Sequence, residues 1–147
     1  MGSVTDALTN VLAQARDLEQ LKNIENANAT SFNYPDAVNF LIQSAEGHGI
    51  NKKSLIKRLL QQSNLERAFI YHLLNGTKRM TRDKFLMFAI AGELSLEEVN
   101  CLLKYAGEAE LYSRNSRDAA LIFIFNNHCN LLDANLCLAD LNVEILK

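Results

Sequence analysis

"SNLERAFIYHLLNGTKRMTRD", residues 63–83, decides how this chain is read. Ser63 and Glu66 stand three apart. At that spacing a hydroxyl takes the amide of the third residue while the carboxylate reaches back to the first. The pattern predicts a helix over 64–75, halted by Asn75-Gly76, because glycine enters the left-handed backbone region at little cost. Lys78, Arg79, Arg82 and Lys84 follow at once, so a short capped helix leads straight into a basic loop.

Toward the N-terminus, Leu55, Ile56, Leu59 and Leu60 mark one face of a helix over 52–62, with Lys53, Lys57 and Arg58 gathered on the other. Only a tight turn fits between 52–62 and 64–75. Two short helices joined so closely cross steeply, which is the helix-turn-helix arrangement, although a purely structural hairpin reads the same locally. Before it, Pro35 suits the first turn of a helix carrying Val38, Phe40, Leu41 and Ile42, which Gly47-His48-Gly49 closes. Residues 3–28 form an amphipathic pattern through Val4, Leu8, Val11, Ala15 and Leu18. A polar connector over 26–34 separates the two.

Toward the C-terminus, a helix over 81–94 turns Phe85, Leu86, Phe88 and Ala89 inward. Ser-Leu-Glu-Glu at 95–98 is a second capping box, opening a helix through Tyr105 that Gly107 ends. The chain then repeats itself. Residues 81–111 overlie 116–146 without a gap, matching Arg82 with Arg117, Asp83 with Asp118, Phe88 with Phe123, Glu98 with Asp133 and Asn100 with Asn135. Helical periodicity alone aligns apolar positions but not Arg-Asp and Asn pairs. The reading is two similar units packed side by side, the second without a basic loop.

Composition narrows the function. At 147 residues and 48% apolar, the chain has enough material for one domain with an extension. No apolar run approaches the ~18 residues of a membrane span, and the start of the sequence lacks a secretion signal's pattern. Three cysteines without CxxC spacing argue against zinc and a disulfide framework, and for reduced thiols in a cytoplasm. His48, His72 and His128 are scattered, no catalytic or nucleotide-binding motif occurs, and neither catalytic residues, metal nor cofactor are expected. The net charge of −2 hides an uneven distribution. Residues 52–84 hold nine basic and two acidic residues, against six and fifteen elsewhere, so +7 faces −9. That asymmetry suits a polyanion partner, with the acidic parts keeping the molecule soluble, or equally a helix face that happens to be basic.

Residues 55–103, from "LIKRLLQQSNLERAFIYHLLNGTKRM" to the Leu-Glu-Glu helix, resemble a lambda-repressor-like, or XRE-type, helix-turn-helix domain. The continuation through Phe125 is similar to regulators carrying a second, degenerate helical unit. The resemblance implies an all-α lambda-repressor-like bundle with an N-terminal amphipathic helix and a C-terminal extension. It divides into a helix and connector over 1–34, the helix-turn-helix domain over 35–111 and a C-terminal unit over 112–147. It further implies a homodimeric regulator of transcription that places helix 64–75 in the major groove of double-stranded DNA. By the resemblance Arg67, Ala68 and His72 would face bases and Lys78, Arg79 and Arg82 would meet phosphates; the residues themselves add Tyr71 to the first set and Lys52, Lys53, Lys57 and Lys84 to the second. Met80-Thr81 stands where a proline is common, and Ala68 offers no polar group to a base. The rival expectation is a non-enzymatic adaptor that holds a protein partner through the N-terminal helix or the C-terminal unit.

Overall fold

The computed structural model describes residues 34–147. The predicted helix over 3–28 lies outside the described residues. Tyr34, placed by the sequence reading in the connector, belongs to the first helix. Among the described residues there are seven helices and no strand: α1 (Tyr34–Gly47), α2 (Lys52–Gln62), α3 (Arg67–Leu74), α4 (Arg82–Ala91), α5 (Leu96–Tyr105), α6 (Ser116–Asn126) and α7 (Leu131–Asp140). The fold is all-α.

Local chemistry sets most boundaries. Asn51, Thr81, Ser95, Asn115 and Asn130 each cap a helix by accepting a backbone N–H of the first turn. Ser95 and Glu98 form the predicted capping box in full. The box expected at Ser63 does not form. The Ser63 hydroxyl instead donates to the Leu59 carbonyl at the end of α2 and accepts the Leu65 N–H. Consequently α3 starts at Arg67 rather than 64, with Glu66 at its N-cap making no side-chain capping bond. Gly76, at φ 84°, ends α3 as expected.

The core is built around α4. Every residue from Phe85 to Ala91 is buried, because α1 and α2 pack on one side of α4 and α5 and α7 on others. A helix covered all round has no polar stripe to keep wet.

The two units predicted from the repeat are related by an approximate two-fold. Arg82 of the first pairs with Asp118 of the second, Nη2 to Oδ2 at 3.1 Å, and Arg117 of the second pairs with Asp83 of the first at 2.8 Å. Residue i of one unit touching j′ of the other while i′ touches j is the signature of an isologous contact. The agreement extends to the backbone. Arg82 Nε donates to the Ala109 carbonyl and Arg117 Nε to that of Glu144. Asn100 accepts the Leu111 N–H and Asn135 that of Leu146. Even the left-handed helix ends recur, Glu93 with His128 and Gly107 with Asn142. A crevice between the units is lined by Ile124 and by three pairs at the same offset, Ile90 and Phe125, Glu93 and His128, Leu94 and Cys129.

Candidate nucleic-acid interface

α2 and α3 pack against each other across residues 63–66, and α2 also packs on α4. Leu55, Ile56 and Leu59 of α2 and Ile70, Leu73 and Leu74 of α3 are buried. This anchors one face of α3 and turns the opposite face outward. Arg67, Ala68, Tyr71 and His72 are all exposed, and their spacing of one, three and one residues keeps them on a single side of the helix.

The loop after α3 is held from both ends. Asn75 Oδ1 accepts the Thr77 N–H at 2.9 Å and the Thr77 hydroxyl at 2.6 Å, a local turn made by a side chain. The Lys78 N–H donates to the His72 carbonyl at 3.0 Å. Met80, buried, pins the far end, and Thr81 opens α4. Lys78 and Arg79 therefore project from a fixed loop rather than from a slack one.

Phe69 lies at the centre of this region. Lys78 Nζ stands 5.4 Å and Lys84 Nζ 5.9 Å from the centroid of its ring. The ring's negative face attracts cations, so the two ammonium groups from different elements are gathered beside α3. Phe69 also packs, partly buried, against the core, and the sequence does not announce its role toward the cations. A partly buried aromatic five residues before the helix end gives no sign of which cations it meets.

The other cations divide. Lys52, Lys53 and Lys57 are exposed along α2. Arg58, grouped with them in the sequence, turns aside to Glu93 at 2.9 Å and to the Ala91 carbonyl. Arg82 is withdrawn from the set of expected phosphate contacts by its geometry. Its Nε, Nη1 and Nη2 already serve Asp118 and the carbonyls of Ala109 and Glu110. A signal for this existed in the sequence. Arg82 recurs as Arg117 in the unit that lacks the basic loop, so it belongs to the repeat and not to the loop.

Among the described residues no three His, Cys, Asp or Glu side chains are grouped to hold a metal. Cys101, Cys129 and Cys137 are unpaired thiols, and burial pushes Cys101 and Cys129 above their ordinary pKa. No described helix is long and apolar enough to cross a membrane. Comparison of the chain with protein-family models, curated proteins and solved structures gives no match.

Proposed function

We propose that the chain is a sequence-specific, double-stranded-DNA-binding regulator of transcription built on a lambda-repressor-like helix-turn-helix. α3 enters the major groove, and the basic residues of α2 and of the loop 76–81 meet phosphates. The observation that carries this reading is the outward face of α3. It is a slim helix, anchored by Ile70, Leu73 and Leu74, that offers Arg67, Tyr71 and His72 to solvent. Lys78 and Lys84 are held beside it over Phe69.

The division of labour follows from chemistry. Arg67, in the first turn of α3, is placed to read a base edge, and a guanidinium makes two parallel bonds to guanine. Lys52, Lys53, Lys57, Lys78, Arg79 and Lys84 supply sequence-independent attraction to the backbone. Ala68 admits close approach without contributing a polar contact. Two copies of the chain would address half-sites about 34 Å apart along the duplex, or a multiple of that.

Fluorescence anisotropy with a random duplex over a salt series tests the reading. With roughly six phosphates engaged, log K falls against log[salt] with a slope near −5. Absence of affinity at low salt would overturn it. A second reading, a protein-interaction module, is favoured by a separate feature: Phe123, Leu136 and Leu141 of the C-terminal unit are exposed.

A further inference from the structure

The two-fold relation gives each face of one unit a counterpart on the other, and one counterpart is bare. On the first unit, α1 and α2 lie over α4 and α5. Phe88 is 0% exposed there and Ala106 3%. Phe40 of α1 meets Tyr105 with ring centroids 5.3 Å apart, and His48, just past α1, bonds Glu98 at 2.7 Å. At the 35-residue offset, these four places belong on the second unit to Phe123, Leu141, Asp140 and Asp133. Phe123 is 57% exposed and Leu141 56%. Leu136, three residues from Asp133 and four from Asp140 on α7, is 63% exposed. Among the described helices, α6 packs on α5 and α7, and none takes the place over it that α1 and α2 take over α4.

We propose that this face of α6 and α7 is a docking site for an amphipathic helix of a protein partner, seated as α1 is seated on α5, with a cationic side chain opposite Asp133. The first unit shows what such a seat needs. Its apolar floor is closed by the stripe of α1, and its rim acid, Glu98, is met by His48 from the covering segment. The second unit keeps an apolar floor and keeps an acid at the same rim position, yet among the described helices none covers it as α1 covers α5. Large apolar side chains exposed together mark an interaction surface, and the two rim aspartates give the occupant its sign.

Charge also separates the occupants. A second copy docking face to face would bring Asp133 and Asp140 of both copies into one contact, which like charge opposes. Residues 1–33 of the same chain carry four acidic residues against two basic, the wrong sign for this rim. A helix with an apolar stripe and lysine or arginine flanks fits both parts of the face. The inference stands apart from the behaviour of α3 toward DNA.

The probe is a fluorescein-labelled peptide of residues 35–49 with Asp36 and Glu46 replaced by lysine, which carries the α1 stripe with basic flanks. Titrated with the full chain, it binds with a Kd below about 0.5 mM. Phe123→Ser and Asp133→Lys each weaken it at least about tenfold, while circular dichroism melting leaves both variants folded. Binding that neither substitution changes, or no binding, overturns the proposal. So does a dimer in sedimentation velocity that Phe123→Ser dissociates, which makes the face a self-association surface. So does peptide binding that appears only after residues 1–30 are removed, which assigns the face to the chain's own N-terminal segment.

Discussion

Arg117 grips Asp83 across the junction of the two units with two parallel bonds, Nη1 to Oδ1 at 3.0 Å and Nη2 to Oδ2 at 2.8 Å. Its remaining reach goes to the carbonyls of Glu144 and Ile145, which ties the C-terminal tail to the same point. The Lys147 N–H completes the arrangement on Asp83. Because Arg82, Asp118 and the Tyr112 N–H repeat this cluster in reverse, the two units are locked at two related points. The C-terminal unit is thus fastened to the preceding helices by charge as well as by the contacts of α4 with α7.

Arg117→Met should destabilise the fold by roughly 1–3 kcal/mol, the range for removing one partner of an ion pair that is largely but not wholly withdrawn from water. The side chains of Arg117 and Asp83 are 19% and 25% exposed, which places the effect below that of a fully buried pair. Urea denaturation followed by circular dichroism gives the number. The double variant Arg117→Met/Asp83→Leu should recover part of the loss, since no unpaired carboxylate then remains. A double variant less stable than Arg117→Met alone would show that Asp83 matters for something other than this pair.

Acid should weaken the same junction. Burial pushes the Asp83 carboxyl up, but the Arg117 hydrogen bond, the Lys147 N–H and the nearby positive charges of Arg117 and Arg82 together bring it below its ordinary value of 3.8. A carboxylate depressed in the folded state adds stability that is complete above its unfolded pKa and is lost as pH falls through the folded one. In Arg117→Met the main opposing influences are gone and burial dominates, so that contribution is absent. The stability gap between wild type and variant should therefore be widest near neutrality and close as pH drops below about 4. Denaturant melts at pH 7, 4.5 and 3 measure it, and a gap that widens in acid would refute this account.

How much of this was readable beforehand depends on whether a feature is local. Ser95 and Glu98 form a capping box from four adjacent residues, and the sequence named it. The same Ser-x-x-Glu spacing at 63–66 failed because the Ser63 hydroxyl has a nearer acceptor in the Leu59 carbonyl of the preceding turn. A helix ending just before the pattern changes what the pattern means. The repeat was legible as matched residues, but an offset states equivalence and not the symmetry operation. That Arg82 meets Asp118 rather than Asp83's neighbours needed coordinates. The exposed face of α3 holds Arg67, Ala68, Tyr71 and His72, the four residues named in advance, whereas the gathering of Lys78 and Lys84 at Phe69 depends on a loop path that no spacing rule supplies.

The repeat also predicts unequal tolerance at equivalent positions. A Cβ added at Gly92 would lie 2.9 Å from the Ala45 Cβ of α1 and 3.1 Å from Leu94 Cδ1, because α1 closes on α4 there. Gly92→Ala should cost about 1–3 kcal/mol through overpacking. Its counterpart Asn127 is exposed and only donates to the Phe123 carbonyl. Asn127→Ala should cost no more than about 1 kcal/mol. Thermal melts of the two variants side by side decide this, and equal losses would mean that the faces are not the counterparts the two-fold makes them.

The strongest discrimination within the basic segment concerns Arg82 against Lys78 and Arg79, which the sequence presents as one block. If α3 and its loop bind DNA as proposed, Lys78→Ala/Arg79→Ala removes two phosphate contacts and should flatten the salt slope by about 2. Arg82→Ala should act otherwise. Its guanidinium is spent on Asp118 and two backbone carbonyls, so the fold loses roughly 1–3 kcal/mol while the salt slope of the protein that remains folded is kept. Arg67→Ala should leave the slope on random duplex nearly unchanged, falling by no more than about one, and act on a selected operator, where a lost guanine contact costs about 1–3 kcal/mol. Anisotropy titrations at four salt concentrations, each paired with a melt, separate the three outcomes. An Arg82→Ala protein with unaltered stability and a flattened slope would return Arg82 to the phosphate-binding set and break the link between the repeat and the interface.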